Sequence, residues 1–209
     1  VAKLGVGHKY FPIDVTHSDA ANQAMLAAIN NFGGLDILIS NAGAAHAGPM
    51  LGISNEELRN AFELNFFSHY SFSTEAAKIL KDQNRGGQIL FNISKQAVNP
   101  GKNFGAYGLP KATTFFLMRQ LALELGSDGI RVNGINADRI RSGLLTDDFI
   151  SSRAKSRGVS ESEYMAGNLL NKEVTAEHVA DAFTALACAE STTGHVMTVD
   201  GGNIEASLR

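Results

Sequence analysis

Apolar, strand-like runs alternate with longer amphipathic stretches along the whole chain, and this alternation restricts the possible fold more than any other feature. Strands that alternate with helices are typical of an α/β fold with a parallel sheet, because each helix returns the chain to begin another strand in the same direction. The predicted strands are 8–15, 35–40, 88–94, 130–136 and 195–199. The predicted helices are 18–32, 55–80 (one long helix or two abutting ones), 107–125, a charged stretch over 147–170, and 176–189.

Composition and charge exclude several classes of protein. Hydrophobic residues make up 44% and charged residues 19% of the 209 residues, which is typical of a globular fold, and no linker or repeat divides the chain. No apolar run reaches the roughly 18 residues that a spanning helix needs, so we expect no membrane partner. Eighteen Lys and Arg against 21 Asp and Glu leave a net charge of −3 without a basic stripe, so we expect no nucleic-acid partner.

The cysteine and histidine content argues against disulfide and metal chemistry. Cys188 is the single cysteine, which excludes an intrachain disulfide and suits a reducing cytoplasm. The six histidines are scattered without a pair at metal-ligand spacing, so each is interpreted as a surface or core residue. We therefore predict no metal site and a cytoplasmic location.

Polar residues and glycines collect where the predicted strands end. These groups are Asp14 with Val15, Asn41 with Ala42 and Gly43, Ser94, and Asn136 with Ala137 and Asp138. Parallel sheets bind ligands at the carboxyl ends of their strands, so we expect the functional site at this edge.

The spacing of Tyr107 and Lys111 indicates a possible catalytic pair. Tyr107 and Lys111 are four residues apart at the start of a predicted helix, so their side chains share one face. A nearby ammonium stabilises a phenolate, and each unit by which the tyrosine pKa falls corresponds to about 1.4 kcal/mol. The pair could therefore supply an acid/base near neutral pH, with the Ser94 hydroxyl holding a substrate oxygen. Taken alone, a Tyr-x-x-x-Lys pattern is weak because it arises readily by chance.

With its context, the pattern resembles the short-chain dehydrogenase/reductase family over nearly the whole chain. The matching segments are Asp14-Val15, Asn41-Ala42-Gly43, Leu64-Asn65-Phe66, Ser94, Tyr107-Gly108-Leu109-Pro110-Lys111, Arg131-Val132-Asn133 and Val199-Asp200-Gly201-Gly202. They occur in the family's order and near its usual spacing. The resemblance implies a Rossmann-like, doubly wound parallel sheet and an NAD(P)-dependent oxidoreductase, with NAD expected and NADP an alternative.

The resemblance also implies individual roles. It implies that the catalytic residues are Asn65, Ser94, Tyr107 and Lys111. Tyr107 would be the acid/base, and Lys111 would lower the pKa of Tyr107 and bind the nicotinamide ribose. Ser94 would orient the substrate, and Asn65 would hold a relay water. The cofactor-binding residues would be Asp14 and Val15 at the adenine, and Asn41, Ala42, Gly43, Ile140, Tyr107 and Lys111. The alternatives are a plain strand-exit turn for Asn41 and Gly43, and a helix-kink residue for Asn65.

The sequence departs from the family's pattern at its beginning. No Gly-x-x-x-Gly-x-Gly occurs before Asp14, so the pyrophosphate-binding turn and the first two strands are missing, as if the chain began about 45–50 residues late. Those strands would lie at the centre of the sheet, between the strands that end at Asp14 and Ser40. Either residues 1–209 are an N-terminally incomplete dehydrogenase domain, which we favour, or the remaining strands pair unusually. A bare strand edge would favour self-association.

Smaller departures fall near the expected active site. The family commonly has two small polar residues after Asn-Ile and uses the second, whereas this chain has Ser94 followed by Lys95. We choose Ser94 as the catalytic hydroxyl and take Lys95 as a possible extra cation. Ala137-Asp138 stands where the family's Pro-Gly is expected. Asp138, Arg139 and Arg141 then put charges near the substrate mouth, which suits a polar substrate; a salt-bridged surface loop is the alternative.

Three runs resemble the dehydrogenase half of bifunctional rhamnulose-1-phosphate aldolase/short-chain dehydrogenases. They are 91–101, 136–146 and 196–209. That resemblance implies oxidation of lactaldehyde in rhamnose catabolism, an aldolase domain in a longer parent chain, and a homodimer or homotetramer. The alternatives are a generic carbonyl or polyol reductase of the same family, and a truncated, inactive remnant that persists as an oligomer.

Overall fold

A parallel sheet of four strands forms the centre of the fold. The computed structural model describes residues 7–45 and 47–203. The strands are β1 (Ile37–Ser40), β2 (Gly87–Asn92), β3 (Ile130–Ala137) and β4 (Val196–Val199), which lie in the order β1-β2-β3-β4 and are all parallel. The prediction of an α/β fold with a parallel sheet is confirmed.

Seven α-helices surround this sheet in the described part of the chain. They are α1 (Ala20–Phe32), α2 (Asn55–Phe62), α3 (Ser68–Gln83), α4 (Gly105–Leu125), α5 (Asp147–Arg157), α6 (Glu161–Met165) and α7 (Ala176–Cys188). The predicted long helix over 55–80 is two helices, α2 and α3, joined without a break by a π-helical turn, Glu63–Phe67. The charged stretch over 147–170 forms two short helices rather than one.

Helices cover both faces of the sheet, so its middle strands are apolar on both sides. Ile89 and Phe91 of β2 point to one face, where they pack with α3 and α4. Leu90 points to the opposite face and packs with Phe183 and Leu186 of α7. This alternation follows from the two-residue period of a strand. A smaller cluster packs α5 against α6 and lies beside the carboxyl ends of the strands.

The predicted strand over 8–15 is wrong. Residues 8–14 form no strand or helix, and a turn follows at Val15. A strand needs a neighbour for its backbone N–H and C=O groups, and among the described residues none pairs with the outer edge of β1. The side chains of Ile37 and Ile39 on β1 are accordingly 42% and 50% exposed. The unusual pairing considered above is therefore not found in the described residues.

The Arg-Val-Asn segment of β3 fastens the end of α7 and the turn before β4 to the sheet. The Arg131 guanidinium donates hydrogen bonds to the carbonyl oxygens of Ala189 (2.7 Å) and Ala187 (3.4 Å). The Asn133 amide donates to the carbonyl of Thr192 (2.8 Å) and accepts from the backbone N–H of His195 (3.0 Å). This part of the family motif therefore has a structural role in this chain.

Candidate active site

The first turns of α4 bring Tyr107 and Lys111 to the carboxyl ends of β1 and β2. Both side chains are buried, with 8% of Tyr107 and 2% of Lys111 exposed. The Lys111 ammonium lies 5.8 Å from the centre of the Tyr107 ring. α4 begins at Gly105, two residues before the predicted start, and Pro110 lies inside it. The four-residue spacing thus places both groups on one face, as predicted.

Lys111 is held by the main chain and by a histidine. Its Nζ donates to the carbonyl oxygen of Asn92 at 3.0 Å and lies 3.3 Å from Nε2 of His69. Burial lowers the pKa of Lys111 from 10.5 to about 8, so the side chain stays charged at pH 7. Two of its three N–H groups have partners, which leaves one donor for a bound molecule.

His69 is the residue that sequence reasoning missed. It is fully buried on α3, and its Nδ1 lies 2.6 Å from the hydroxyl oxygen of Ser40 at the end of β1. Burial and then the charge of Lys111 lower its pKa to about 3, so the ring is neutral at pH 7. Because a lysine ammonium can only donate, Nε2 accepts from Lys111, and Nδ1–H donates to Ser40. The sequence feature that could have identified His69 is its spacing, because it follows Asn65 by one helical turn.

Asn65 lies in the π-helical turn, and its side chain makes three hydrogen bonds to the backbone. Its Nδ2 donates to the carbonyl oxygens of Ala44 (2.9 Å) and Ala61 (3.1 Å), while its Oδ1 accepts from the N–H of Ala44 (3.2 Å). A Cβ at Gly43 would lie 2.9 Å from that Oδ1 and 3.5 Å from Nζ of Lys111. Gly43 is therefore required for the close approach of this loop to Asn65 and Lys111.

Ser94 connects the end of β2 to Tyr107. It caps a short turn, Lys95–Ala97, by accepting from the N–H of Gln96 at 3.2 Å. Burial raises the pKa of Tyr107 above 10.0, and the nearby Ser94 hydroxyl partly offsets this rise. The lowering of the tyrosine pKa that the resemblance implies is thus not present in the protein alone.

A cavity of about 370 Å³ opens beside these hydroxyl groups. Ser94, Tyr107 and Ile140 line it together with Asp138 and Arg139. Lys95 also lines it and forms an ion pair with Asp138 at 2.8 Å. Arg141 follows the alternative, a salt-bridged surface loop: it is exposed and outside the cavity lining, and Asp147 (2.6 Å) and Glu173 (2.7 Å) neutralise it.

The remaining predicted cofactor residues lie in two places. The Oδ1 of Asn41 accepts from Nδ2 of Asn92 at 2.7 Å, so the exits of β1 and β2 are linked, and Ala42 follows in the exposed loop. Asp14 is exposed and belongs to no strand, and its Oδ1 accepts from the N–H (2.9 Å) and the hydroxyl (2.7 Å) of Thr16. Those bonds lower the pKa of Asp14. Val15 is half-buried in the same turn.

The described residues contain neither a cluster of metal ligands nor a membrane-spanning helix. Among residues 7–45 and 47–203, no three His, Cys, Asp or Glu side chains cluster in a way that could hold a metal ion. Within the same ranges, no helix is long and apolar enough to cross a membrane.

A buried tyrosine and lysine with a half-buried serine, at the carboxyl ends of a parallel α/β sheet, are the arrangement of an oxidoreductase of Rossmann-like fold. The family model described as enoyl-(acyl carrier protein) reductase matches residues 1–203. The 7α-hydroxysteroid dehydrogenase of Escherichia coli K12 is 30% identical over 194 residues, which are 92% of this chain and 72% of that protein. The chain belongs to the short-chain dehydrogenase/reductase family.

Other similar proteins differ in how much of their own length is matched. The uncharacterized oxidoreductase YuxG of Bacillus subtilis is 35% identical over 91% of this chain, but the chain spans only 29% of YuxG. Acetoin dehydrogenase from Enterobacter cloacae has a similar structure, with a TM-score of 0.79 and 26% identity over 93% of this chain and 74% of that one. ElxO with NADP bound shares the fold at a TM-score of 0.81 and 23% identity, over 94% of this chain and 78% of that chain.

Proposed function

We propose that this site carries out NAD(P)-dependent hydride transfer between a small alcohol or hydroxy-aldehyde and its oxidised form. The observation that carries the proposal is the group at the strand ends, in which Ser94 and the buried Tyr107 line one cavity and the buried Lys111 lies one helical turn further along α4. Such a group can hold a substrate oxygen and give or take its proton.

Tyr107 is the proposed acid/base. In the oxidative direction its oxygen takes the hydroxyl proton of the substrate, and Ser94 keeps that substrate oxygen in place. The Lys111 ammonium, 5.8 Å from the centre of the Tyr107 ring, is the proposed group that would favour the phenolate form during the reaction. Asn65 fixes the loop at Gly43 and Ala44, and its Oδ1 keeps a free acceptor position for the relay water.

The residues present fit the nicotinamide end of the cofactor. When bound, the nicotinamide ring exchanges a hydride with the substrate carbon. Lys111 has one free N–H for a ribose hydroxyl, and the space that a Cβ at Gly43 would fill lies beside it. Asn41, Ala42 and Ile140 would border the ring and ribose, while Asp14 and Val15 would reach the adenine. NAD is proposed, and the NADP in ElxO supports a dinucleotide in this fold.

The proposed substrate is lactaldehyde, and the proposed parent is a longer chain with an aldolase domain. The small share of YuxG that this chain matches supports a longer parent, and the likeness to acetoin dehydrogenase supports a small oxygenated substrate. Oxidation would act on the aldehyde hydrate: one hydride leaves the carbon, one hydroxyl proton passes to Tyr107, and lactic acid is released.

We also propose that the enzyme is cytoplasmic and a homodimer or homotetramer. A carbonyl or polyol reductase with another substrate is separated from this proposal by a substrate panel.

Tyr107→Phe tests the proposal. Nicotinamide reduction, followed by absorbance with lactaldehyde and either NAD or NADP, is expected to fall about 10²–10⁴-fold, which is the usual contribution of a general acid/base. Tyr70→Phe is the matched control, because Tyr70 is exposed on α3 and its ring contacts Phe66. Turnover by Tyr107→Phe at the original rate would overturn the role of Tyr107.

One alternative is supported by an observation of its own. The exposed edge of β1, with Ile37 and Ile39, is suited to self-association, as an inactive remnant would require. NAD and NADP titrations of the thermal unfolding midpoint separate the two functions. A saturable rise supports the oxidoreductase, whereas an unchanged midpoint in a protein of high mass supports the remnant.

A further inference from the structure

Positive charge is concentrated in the cavity beside Tyr107. Five cationic side chains and one carboxylate line it: Lys95, Lys102, Arg139, Arg153, Arg157 and Asp138. The whole chain, in contrast, has a net charge of −3. The cavity lining is therefore strongly cationic within an acidic protein.

Only part of this charge is neutralised by the protein. One oxygen of Asp138 accepts from Lys95 (2.8 Å) and from the amide of Asn203 (2.6 Å), and it lies 3.5 Å from Nε of Arg139. In the described part of the chain, Arg153 and Arg157 have no carboxylate within ion-pair distance, and Lys102 likewise has none. Three cations of the cavity thus lack a counter-charge.

The two arginines of α5 are positioned by aromatic rings. The Arg153 guanidinium lies 5.8 Å from the centre of the Phe104 ring, and that of Arg157 lies 5.3 Å from the Tyr164 ring. They are one helical turn apart, where two like charges destabilise a helix unless an anion compensates them. The Nε of Arg153 is also buried and has no hydrogen-bond partner among the described residues. A buried donor without a partner is costly, so this group is explained best by a partner outside the chain.

We propose that Arg153 and Arg157, assisted by Lys102, form an anion subsite that holds a carboxylate or phosphate group of the molecule turned over at Tyr107. The planar guanidinium fork fits both groups, and a cavity of about 370 Å³ accepts a small organic anion. The subsite deepens the proposed function and rests on it. Its ligand class includes hydroxy acids such as lactate and phosphorylated hydroxy-aldehydes, whereas lactaldehyde itself carries no group for it.

Binding measurements test the subsite without relying on turnover. The probes are lactate and glycerol 3-phosphate, each compared by calorimetry with a neutral relative, propane-1,2-diol or glycerol. We expect both anions to bind at least about tenfold more tightly than their neutral relatives, and Arg153→Gln and Arg157→Gln each to weaken them about tenfold. Arg153→Lys keeps the charge but not the fork, so it should recover part of the affinity. Arg119→Gln, on exposed α4 surface outside the cavity lining, should bind as the unchanged chain does.

Each outcome separates the subsite from the proposed reaction. Binding of either anion that depends on Arg153 and Arg157 and persists in Tyr107→Phe supports the subsite, even if no alcohol is oxidised and the proposed function fails. Equal affinity for anions and neutral relatives, or unchanged anion binding in both glutamine variants, overturns it. The subsite is also overturned if the glutamine variants lose only NAD or NADP affinity, since the cations would then serve the cofactor's phosphates.

Discussion

The Nε2 atom of His69 lies 3.3 Å from Nζ of Lys111, so a neutral imidazole and a buried ammonium share one hydrogen bond. Ser40 binds the other ring nitrogen at 2.6 Å, which fixes the ring's orientation. This connects the end of β1, through α3, to α4 at the point where Lys111 meets Tyr107. The protonation of His69 is therefore coupled to the position of the lysine.

Acid should destabilise the fold through His69. Its pKa is about 3 in the folded protein and 6.5 in an exposed histidine, so the unfolded chain binds an extra proton as the pH falls below 6.5. The free energy of unfolding should consequently fall by up to about 1.4 kcal/mol per pH unit between roughly pH 6 and 4 from this group alone. Urea unfolding at several pH values measures the slope.

His69→Gln should reduce that slope, because glutamine can still hydrogen-bond but does not titrate. His8→Gln is the matched control, since His8 is exposed and should leave the slope unchanged. An identical pH slope for His69→Gln and the unchanged protein would contradict the coupling.

Tyr107 should titrate above pH 10 in the protein without cofactor. Burial raises its pKa, and the Ser94 hydroxyl opposes this effect. The tyrosinate absorbance lost in Tyr107→Phe gives its titration curve, and Ser94→Ala should move the midpoint still higher. A midpoint at or below 10 would show that Lys111 outweighs burial even without a bound cofactor.

Gly43→Ala should destabilise the protein by about 1–3 kcal/mol. The added Cβ would meet Oδ1 of Asn65 at 2.9 Å, and three hydrogen bonds prevent that side chain from moving aside. Gly126→Ala is the control: a Cβ there meets nothing within 4 Å and φ is −60°, so about 0.4–1 kcal/mol of stabilisation is expected. Chemical denaturation of both variants measures the difference, and equal effects would refute the close approach.

Arg131→Met should cost about 2 kcal/mol, because it leaves carbonyl oxygens at the end of α7 without their charged donor. Arg119→Met serves for comparison, since Arg119 is exposed and lies 5.9 Å from the Phe115 ring, and its effect should stay within about 0.5 kcal/mol. Urea unfolding midpoints distinguish the two. A loss of similar size in both variants would show that these carbonyl contacts add no stability.

The sequence predicted most of this architecture because its apolar runs have clear strand and helix periods. Strands 35–40, 88–94, 130–136 and 195–199 are confirmed to within about two residues of β1 to β4. The strand over 8–15 failed for a reason that no local pattern contains: pairing requires a neighbouring strand, and none of the described strands pairs with these residues.

The residues of the candidate site could be predicted only where they share one helix at a regular spacing or belong to a family motif. Tyr107 and Lys111 follow from a four-residue step, and Ser94 from its place after a strand. The contact of His69 with Lys111 joins α3 to α4, and Arg153 reaches the cavity from α5, so both depend on tertiary packing. The surface position of Arg141 depends on ion pairs with Asp147, six residues further along the chain, and with Glu173, 32 residues further along, and only the fold brings the second of these to it.

The positions of the site residues Asn65 and His69 depend on the extra residue in the π-helical turn Glu63–Phe67. Its wider hydrogen bonding, from the N–H of Ser68 to the carbonyl of Glu63, accommodates one more residue than a regular helix would over the same rise. Removing one residue would turn α2 by about 100° against α3 and separate Asn65 from Gly43 and Ala44. An alignment that opens a gap within these five positions therefore misplaces Asn65 or His69, and gap placement becomes a structural criterion for recognising chains that share this arrangement.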